Sequence, residues 1–338
     1  MRKIIIALII IAVFIAGYFI VNNLIKNKPI KEDNSFKWGV GINPYPNGVH
    51  TKEELDRVLK DAKELKVRWL RFGWPSFIAP DDFSYMDKII PVVKKQGFNI
   101  VLGYDPQNKY QEFDNPYQTA YNETRNIATH YKNEIRYFQV GNEPAGSCVK
   151  GSWPGLDEQS YDLDKCKKVI AWLKGASDGI KSVNPNAKIL ITGHWLHTGF
   201  FDMLVANEVN FDIIGWDCNG FSTTDITKIE NGGKEYNLAE MLKSFNKELW
   251  ITEINTEKGS LNSQKEQADF IAEFIKNIYN TKAFSGLFIF ILHDEMHVQG
   301  TEDANLGLVK INKVGNTFTI GGKKEAFFTY QDIIENLK

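Results

Sequence analysis

The sequence lacks the features that mark several common classes of protein. Its formal net charge is only −2 over 338 residues and no dense cluster of lysine and arginine occurs, so we expect no nucleic-acid partner. Cysteine is scarce, with Cys148, Cys166 and Cys218 alone, and none stands in a CxxC or Cys/His pattern typical of zinc sites. We therefore predict no metal and no other cofactor.

Two of the cysteines leave a choice open. Cys148 and Cys166 are 18 positions apart, and in an oxidising compartment they would close the intervening loop as a disulfide. In a reducing compartment they would be two unrelated thiols. The sequence favours neither arrangement over the other.

The first 35 residues differ from the rest of the chain. Residues 4–21 are a run of 18 residues without a charge, long enough to cross a bilayer core of ~30 Å. The run ends in bulky residues and no Ala-x-Ala cleavage site follows it, so we predict that residues 1–21 are an uncleaved membrane anchor. A cleaved signal peptide is the alternative. Residues 22–35 are mostly polar and are predicted to link the anchor to a domain at 36–338.

From residue 36 onward, short apolar runs alternate with segments of helical periodicity. The predicted strands are 38–43, 69–74, 99–104, 137–142, 188–193, 211–216, 249–253 and 286–292. The predicted helices are 52–65, 83–96, 118–131, 165–183, 264–279 and 323–337, with a small hairpin at 310–313 and 317–320. Eight β-α units predict an α/β fold, a closed (β/α)8 TIM barrel. The first strand lacks a glycine-rich phosphate turn, which argues against an open dinucleotide-binding sheet.

Two glutamates stand at the ends of predicted core strands. Glu143 follows the fourth strand, and Glu253 ends the seventh. A carboxylate in such a place is costly to bury unless it is paired or used in chemistry. Because strands four and seven lie across the mouth of a barrel, a sugar fits between them. The pair therefore predicts the acid and the nucleophile of a glycosidase.

The residues around both glutamates strengthen this interpretation. The sequence Asn-Glu-Pro at 142–144 and the sequence Trp-x-Thr-Glu at 250–253 occur in the right order and at the right distance. Together they resemble the glycoside hydrolases of the large (β/α)8 clan A, such as its cellulase-like and β-xylosidase-like retaining families. The resemblance spans about residues 36–338 and is fold-level outside a few site positions. It implies that Glu143 is the acid/base and Glu253 the nucleophile.

The same resemblance implies roles for two further residues and shows two departures. Arg71 would contact the nucleophile, and Asn142 would donate to the sugar 2-hydroxyl group. On the sixth strand, Asp217 and Asn219 stand where many clan members carry His-x-Tyr. The eighth strand lacks the tryptophan that often ends it in the clan. A catalytically degenerate barrel that binds cell-surface glycan is therefore an alternative function.

Other polar and aromatic residues follow the predicted strands and are candidates for sugar binding. Aromatic rings stack on sugar faces, whereas polar side chains bind hydroxyl groups; core packing is the alternative for each aromatic residue. The candidates are Tyr104, Trp153, His194, Trp195, Asp217, Asn219 and His293. A third alternative is a metal enzyme that uses His194, Asp217 and His293, although the first strand carries no HxH or DxH pair to support it.

These observations predict a retaining glycoside hydrolase that acts on an extracytoplasmic polysaccharide or oligosaccharide. We expect a monomer, held at the membrane by residues 4–21 with its catalytic domain outside the cytoplasm. This orientation follows mainly from the inferred function, because lysines flank both sides of the apolar run. Secretion after signal cleavage is the alternative location.

Overall fold

The structure is a computed structural model that describes residues 35–44, 51, 53–73, 80–295, 302–314 and 317–337. The predicted anchor at 1–21 and nearly all of the predicted linker at 22–35 lie outside the described residues. Within the described ranges, no helix combines the length and the apolar character needed to cross a membrane. Residues Phe36–Lys338 belong to one compact unit.

Eight parallel strands close into a barrel in which each strand pairs with its neighbours in the sequence, and the eighth pairs with the first. The predicted (β/α)8 barrel is confirmed, although some predicted ranges differ by a few residues at their ends. The strands are β1 Lys37–Ile42, β2 Trp69–Phe72, β3 Asn99–Tyr104, β4 Tyr137–Val140, β5 Lys188–His194, β6 Ile213–Asn219, β7 Glu248–Asn255 and β8 Gly286–Ile289.

A helix follows every barrel strand and covers its outer face. The helices are α1 Leu55–Glu64, α2 Met86–Lys95, α3 Pro116–His130, α4 Leu163–Val183, α5 Thr198–Ala206, α6 Leu238–Lys243, α7 Gln264–Thr281 and α8 Glu325–Asn336. The sequence analysis gave no ranges for helices α5 and α6. Six of the nine residues of α5 are buried, so it has little of the polar face that reveals an amphipathic helix. Helix α6 has only six residues, too few to establish a period.

A layer of large side chains fills the interior of the barrel beneath its carboxyl-terminal mouth. The layer consists of Trp69, Val101, Leu190, Ile213, Trp250 and Phe288, with Tyr137 packed against it. The ring of Trp250 is fully buried, with its centroid 5.5 Å from that of Trp69 and 5.7 Å from that of Phe288. Side chains alternate between the two faces of a strand. Residues an even number of positions from one of these on the same strand therefore also point into the barrel, and residues an odd number of positions away point outward; we call this alternation the strand phase.

Among the described residues, two hairpins and one disulfide lie outside the barrel sheet. The predicted hairpin is confirmed, with Val309–Val314 antiparallel to Thr317–Lys323. A second hairpin, which was not predicted, pairs Ile229–Asn231 with Lys234–Tyr236. Cys148 and Cys166 form a disulfide, which decides between the two arrangements that the sequence left open. The bond ties the segment after β4 to the first turns of α4.

Candidate active site

Arg71 lies at the centre of the polar residues at the barrel mouth. It is 2% exposed on β2, and its Nη1 donates to Glu253 Oε1 at 2.6 Å. Its Nε donates to Gln139 Oε1 at 2.7 Å, and its Nη2 donates to Asn142 Oδ1 at 3.0 Å. Burial opposes the charge on Arg71, but the neighbouring carboxylates, Glu253 first among them, raise the pKa of its guanidinium above the usual value. The cation therefore fixes residues of β4 and β7 in one arrangement.

The turn after β4 holds Glu143 in an unusual backbone conformation. Gly141 has φ +76°, which glycine adopts without steric cost, but Glu143 also has a positive φ, +44°. A non-glycine residue in this left-handed region costs of order 1–3 kcal/mol unless its surroundings enforce it. Here the N–H of Asn142 donates to Asp105 Oδ2 at 2.8 Å, and the N–H of Glu143 donates to Thr192 Oγ1 at 2.8 Å. These two hydrogen bonds fix the direction in which the Glu143 side chain leaves the strand.

The structure brings Glu143 and Glu253 together, as predicted. A carboxylate oxygen of each lies within 4.8 Å of the other, and Asp217 offers a third carboxylate oxygen within the same distance of both. Burial, reinforced by the negative charge of Glu253, raises the pKa of Glu143 to about 8, although Arg71 partly opposes the rise. Glu143 therefore carries a proton at neutral pH, while Glu253 is paired with a cation.

Asp217 is fully buried beside the two glutamates. Burial raises the pKa of Asp217 to about 7, and Arg71 opposes this rise. Thr252 Oγ1 donates to Asp217 Oδ1 at 2.6 Å. The position at which the clan pattern places a histidine thus carries a third acidic group that faces the glutamates.

Three further predicted residues lie near this cluster or on the loops above it. The Nδ1 atom of His194 is 3.4 Å from Glu143 Oε1 and 3.0 Å from the carbonyl oxygen of Asp217. Trp195 is partly buried, and its ring centroid is 5.5 Å from that of Phe221. Trp153 is 52% exposed on the long segment between β4 and α4, where a ligand can reach its ring.

Tyr104 and His293 are directed away from the mouth, contrary to the expectation for both. Tyr104 follows the inward-facing Val101 by three positions, so it points outward, and its hydroxyl donates to Glu123 Oε2 of α3 at 2.8 Å. His293 lies four positions beyond the end of β8. It is fully buried, with Nε2 3.1 Å from Asp61 Oδ2 of α1. Strand phase, which the sequence analysis did not apply, explains the placement of Tyr104 but not that of His293.

Asn219 lies two positions after Asp217 on β6, so its side chain also points into the barrel. It pairs in register with Asn255 of β7. Its Oδ1 atom is buried and accepts no hydrogen bond from the residues that the structure describes. Three other inward-facing polar residues escaped prediction: Gln139, Thr192 and Thr252, which contact Arg71, Glu143 and Asp217 respectively. Gln139 lies two positions after the inward-facing Tyr137, and Thr192 two after Leu190, so strand phase would have identified these two.

The three residues proposed as ligands for the metal-enzyme alternative do not lie together in the structure. His293 contacts α1, so it does not join His194 and Asp217 at the mouth. The described residues that are close enough to share an ion are Glu143, Asp217 and Glu253. Arg71 already supplies positive charge to these carboxylates, which disfavours a second cation among them.

Comparisons with known proteins agree with the barrel fold. Residues 106–295, more than half of the chain, match the family model of glycosyl hydrolase family 53. The fold is similar to a family 39 glycoside hydrolase from Bacteroides cellulosilyticus WH2, with a TM-score of 0.65 and 15% identity over 92% of this chain. The match spans 66% of that enzyme's length. It is also similar to a family 1 β-glucosidase from Thermotoga maritima, with a TM-score of 0.63 and 13% identity over 91% of this chain and 99% of that one. No curated protein matches the sequence.

Proposed function

Because the chain belongs to glycosyl hydrolase family 53 and is therefore a glycoside hydrolase, we propose that it cleaves O-glycosidic bonds with retention of configuration. The observation that carries the proposal is the approach of Glu143 and Glu253 to within 4.8 Å. Retaining enzymes hold their two carboxyl groups ~5–5.5 Å apart, whereas inverting enzymes leave ~6.5–9.5 Å for a water molecule. The 4.8 Å limit refers to one oxygen of each carboxylate, and this close approach supports direct attack by one carboxylate on the sugar.

In the proposed first step, Glu253 attacks the anomeric carbon while Glu143 gives its proton to the leaving glycosidic oxygen. The pairing of Glu253 with Arg71 at 2.6 Å favours the ionised nucleophile, and the raised pKa of Glu143 favours the protonated acid. The product of this step is a glycosyl ester of Glu253 and a free alcohol.

In the second step, Glu143 acts as the base. Esterification removes the negative charge of Glu253, which is one of the causes of the raised pKa of Glu143. The pKa of Glu143 then falls, so its carboxylate can take a proton from the water that attacks the anomeric carbon. This attack breaks the bond between the sugar and Glu253 and releases the sugar and the free Glu253 carboxylate. The same residue thus serves as acid and base because the charge of its neighbour changes between the two steps.

The substrate is proposed to be a polysaccharide or oligosaccharide bound across the barrel mouth. Trp153 offers an exposed ring for stacking on a sugar face, and Trp195 lies on the loop after β5. Asn142, His194 and Asn219 are proposed to bind sugar hydroxyl groups near the reacting bond. Tyr104 and His293 have no proposed role in binding, because both contact the helix layer.

An extracytoplasmic location is proposed for the catalytic domain. The disulfide between Cys148 and Cys166 supports it, since such bonds persist mainly in oxidising compartments. The uncharged run at 4–21 is proposed to anchor the chain in the membrane. Membrane fractionation and amino-terminal sequencing test this location. A mature protein that begins near residues 22–36 would show that the run is cleaved and the enzyme is secreted.

The proposed roles are tested with a panel of aryl glycosides. We expect Glu253→Gln to form no glycosyl-enzyme and to lose activity on every substrate. We expect Glu143→Ala to slow substrates with poor leaving groups far more than activated ones, because an activated leaving group needs little protonation. Azide should partly restore Glu143→Ala and give a glycosyl azide with the configuration of the substrate. Glu123→Gln, whose carboxylate faces Tyr104 in the helix layer, is the matched control and should keep parental activity.

The outcomes separate the proposed enzyme from its alternative. Parental activity in both Glu143→Ala and Glu253→Gln would show that this pair is not the catalytic pair. If the parent binds glycans but cleaves none of the panel, the degenerate glycan-binding barrel is the better description.

A further inference from the structure

Asp217 is a buried acidic residue to which the two-glutamate mechanism gives no task. Its carboxylate lies within 4.8 Å of those of Glu143 and Glu253, and the residue has no exposed surface. The strand register explains how it comes so close. On β6 and β7, Trp216 pairs with Ile251, whereas the next residue, Asp217, pairs with Glu253. One additional residue of β7, Thr252, is accommodated at this bulge, and bulges re-aim side chains next to active sites.

The surroundings of Asp217 contain charged or titratable groups from several strands. These groups are Arg71 of β2, Glu143 after β4, His194 of β5, Glu253 of β7, and Cys218 beside it on β6. Burial lowers the pKa of His194, so its ring is neutral at neutral pH, and burial raises the pKa of Cys218, so it remains a thiol. The carboxyl groups of Glu143, Asp217 and Glu253 therefore all interact electrostatically with the single guanidinium group of Arg71.

We propose that Asp217 is a positioning residue whose negative charge keeps the acid proton on Glu143 until the glycosidic oxygen takes it. This role rests on the proposed function of Glu143 as the acid. A nearby like charge disfavours ionisation of a carboxyl group. At a separation of at most 4.8 Å, the effect amounts to about one to two pH units for partly screened charges.

The proposal requires that Asp217 loses its proton before Glu143 does. The surroundings of Asp217 favour this order, because Thr252 donates to Oδ1 at 2.6 Å and the charge of Arg71 lowers the pKa of Asp217. Oδ2 makes no hydrogen bond of normal geometry within the described part of the chain, but the nearby Thr192 hydroxyl also favours the charged form. Burial, with a contribution from the charge of Glu143, raises the pKa of Asp217 to about 7, and burial, with the charge of Glu253, raises the pKa of Glu143 to about 8.

The first test is the pH dependence of kcat/KM for the full chain on an aryl glycoside with a poor leaving group. Asp217→Asn keeps the shape of the side chain and removes its charge. We expect the alkaline limb of the profile to move to lower pH by about one unit or more, because Glu143 then loses its proton more easily. The matched control is Asp202→Asn, the same change on an exposed position of α5, which should leave the profile unchanged. A lower kcat without any movement of the limb would overturn the proposal.

A direct titration separates this proposal from the proposed glycosidase activity. Carbon-13 NMR of carboxyl-labelled glutamate follows ionisation without substrate, and Glu143→Gln assigns the resonance of Glu143. We expect the midpoint of Glu143 to fall in Asp217→Asn even if the parent cleaves no glycoside. An unchanged midpoint overturns the proposal. If thermal unfolding shows that Asp217→Asn does not fold, Thr252→Val removes the donor to Asp217 and should lower the Glu143 midpoint by a smaller amount.

Discussion

The disulfide between Cys148 and Cys166 offers a test whose magnitude follows from the length of the loop. Both residues are 1% exposed and lie 18 positions apart. Replacing both by alanine removes a cross-link that restricts the unfolded chain, while the small alanine side chain fits the space that each cysteine occupied. For a loop of this length, loop-closure entropy predicts a loss of about 3 kcal/mol in the free energy of unfolding.

The assay is thermal unfolding of the parent and of the double variant Cys148→Ala/Cys166→Ala under oxidising conditions. With an unfolding entropy of about 2.1 cal/mol/K per residue for a unit of this size, a loss of about 3 kcal/mol lowers Tm by roughly 5 °C. The closed loop carries the exposed Trp153, so we also expect the variant to show a higher KM for long oligosaccharides at nearly unchanged kcat.

Treatment with reductant provides the control. Reduction should lower the Tm of the parent to about that of the double variant, and the double variant itself should not respond. If mass spectrometry shows that the parent is fully reduced while its Tm is unchanged, the loop-closure explanation is refuted. Two free thiols in protein prepared without reductant would refute the bond itself.

Three further predictions concern the barrel mouth and Tyr104, whose side chain points away from it. Arg71→Met leaves the carboxylate of Glu253 buried without its cation and should lower the free energy of unfolding by about 3–5 kcal/mol, measured with denaturant; adding Glu253→Gln should recover part of the loss. On substrates with poor leaving groups, kcat/KM should fall as the pH rises above about 8, where Glu143 loses its proton, and activity that persists to pH 10 would contradict this. Tyr104→Phe should leave KM unchanged and cost about 1 kcal/mol in stability, because its hydroxyl bonds Glu123; a raised KM would contradict this placement.

Most of the fold was predictable because its signals are local and repeated. Each barrel strand is a short apolar run, and six of the eight following helices show an amphipathic period in the sequence. The two that escaped lack this signal, since α5 is apolar around most of its circumference and α6 is six residues long. The disulfide remained undecided because cysteine spacing alone does not determine the redox environment of a chain.

The candidate site was predictable where chemistry and strand order coincide. Glu143, Glu253, Arg71 and Asn142 meet at the mouth as predicted, because the carboxyl ends of parallel barrel strands share one face. Strand phase was the missing information for Tyr104. The contact between Asp217 and Thr252 depends on a bulge between β6 and β7, which shifts the register by one residue and has no signature in the sequence alone.

The left-handed backbone of Glu143 has a consequence for how this enzyme can change. Its φ of +44° is a conformation that glycine or asparagine adopts more easily than glutamate. The residue proposed to supply the acid is therefore also one that costs folding energy, and its replacement by glycine or asparagine would relieve backbone strain and remove a buried carboxyl group. Engineering for thermal stability alone would therefore favour the loss of this glutamate, at the cost of the proposed acid.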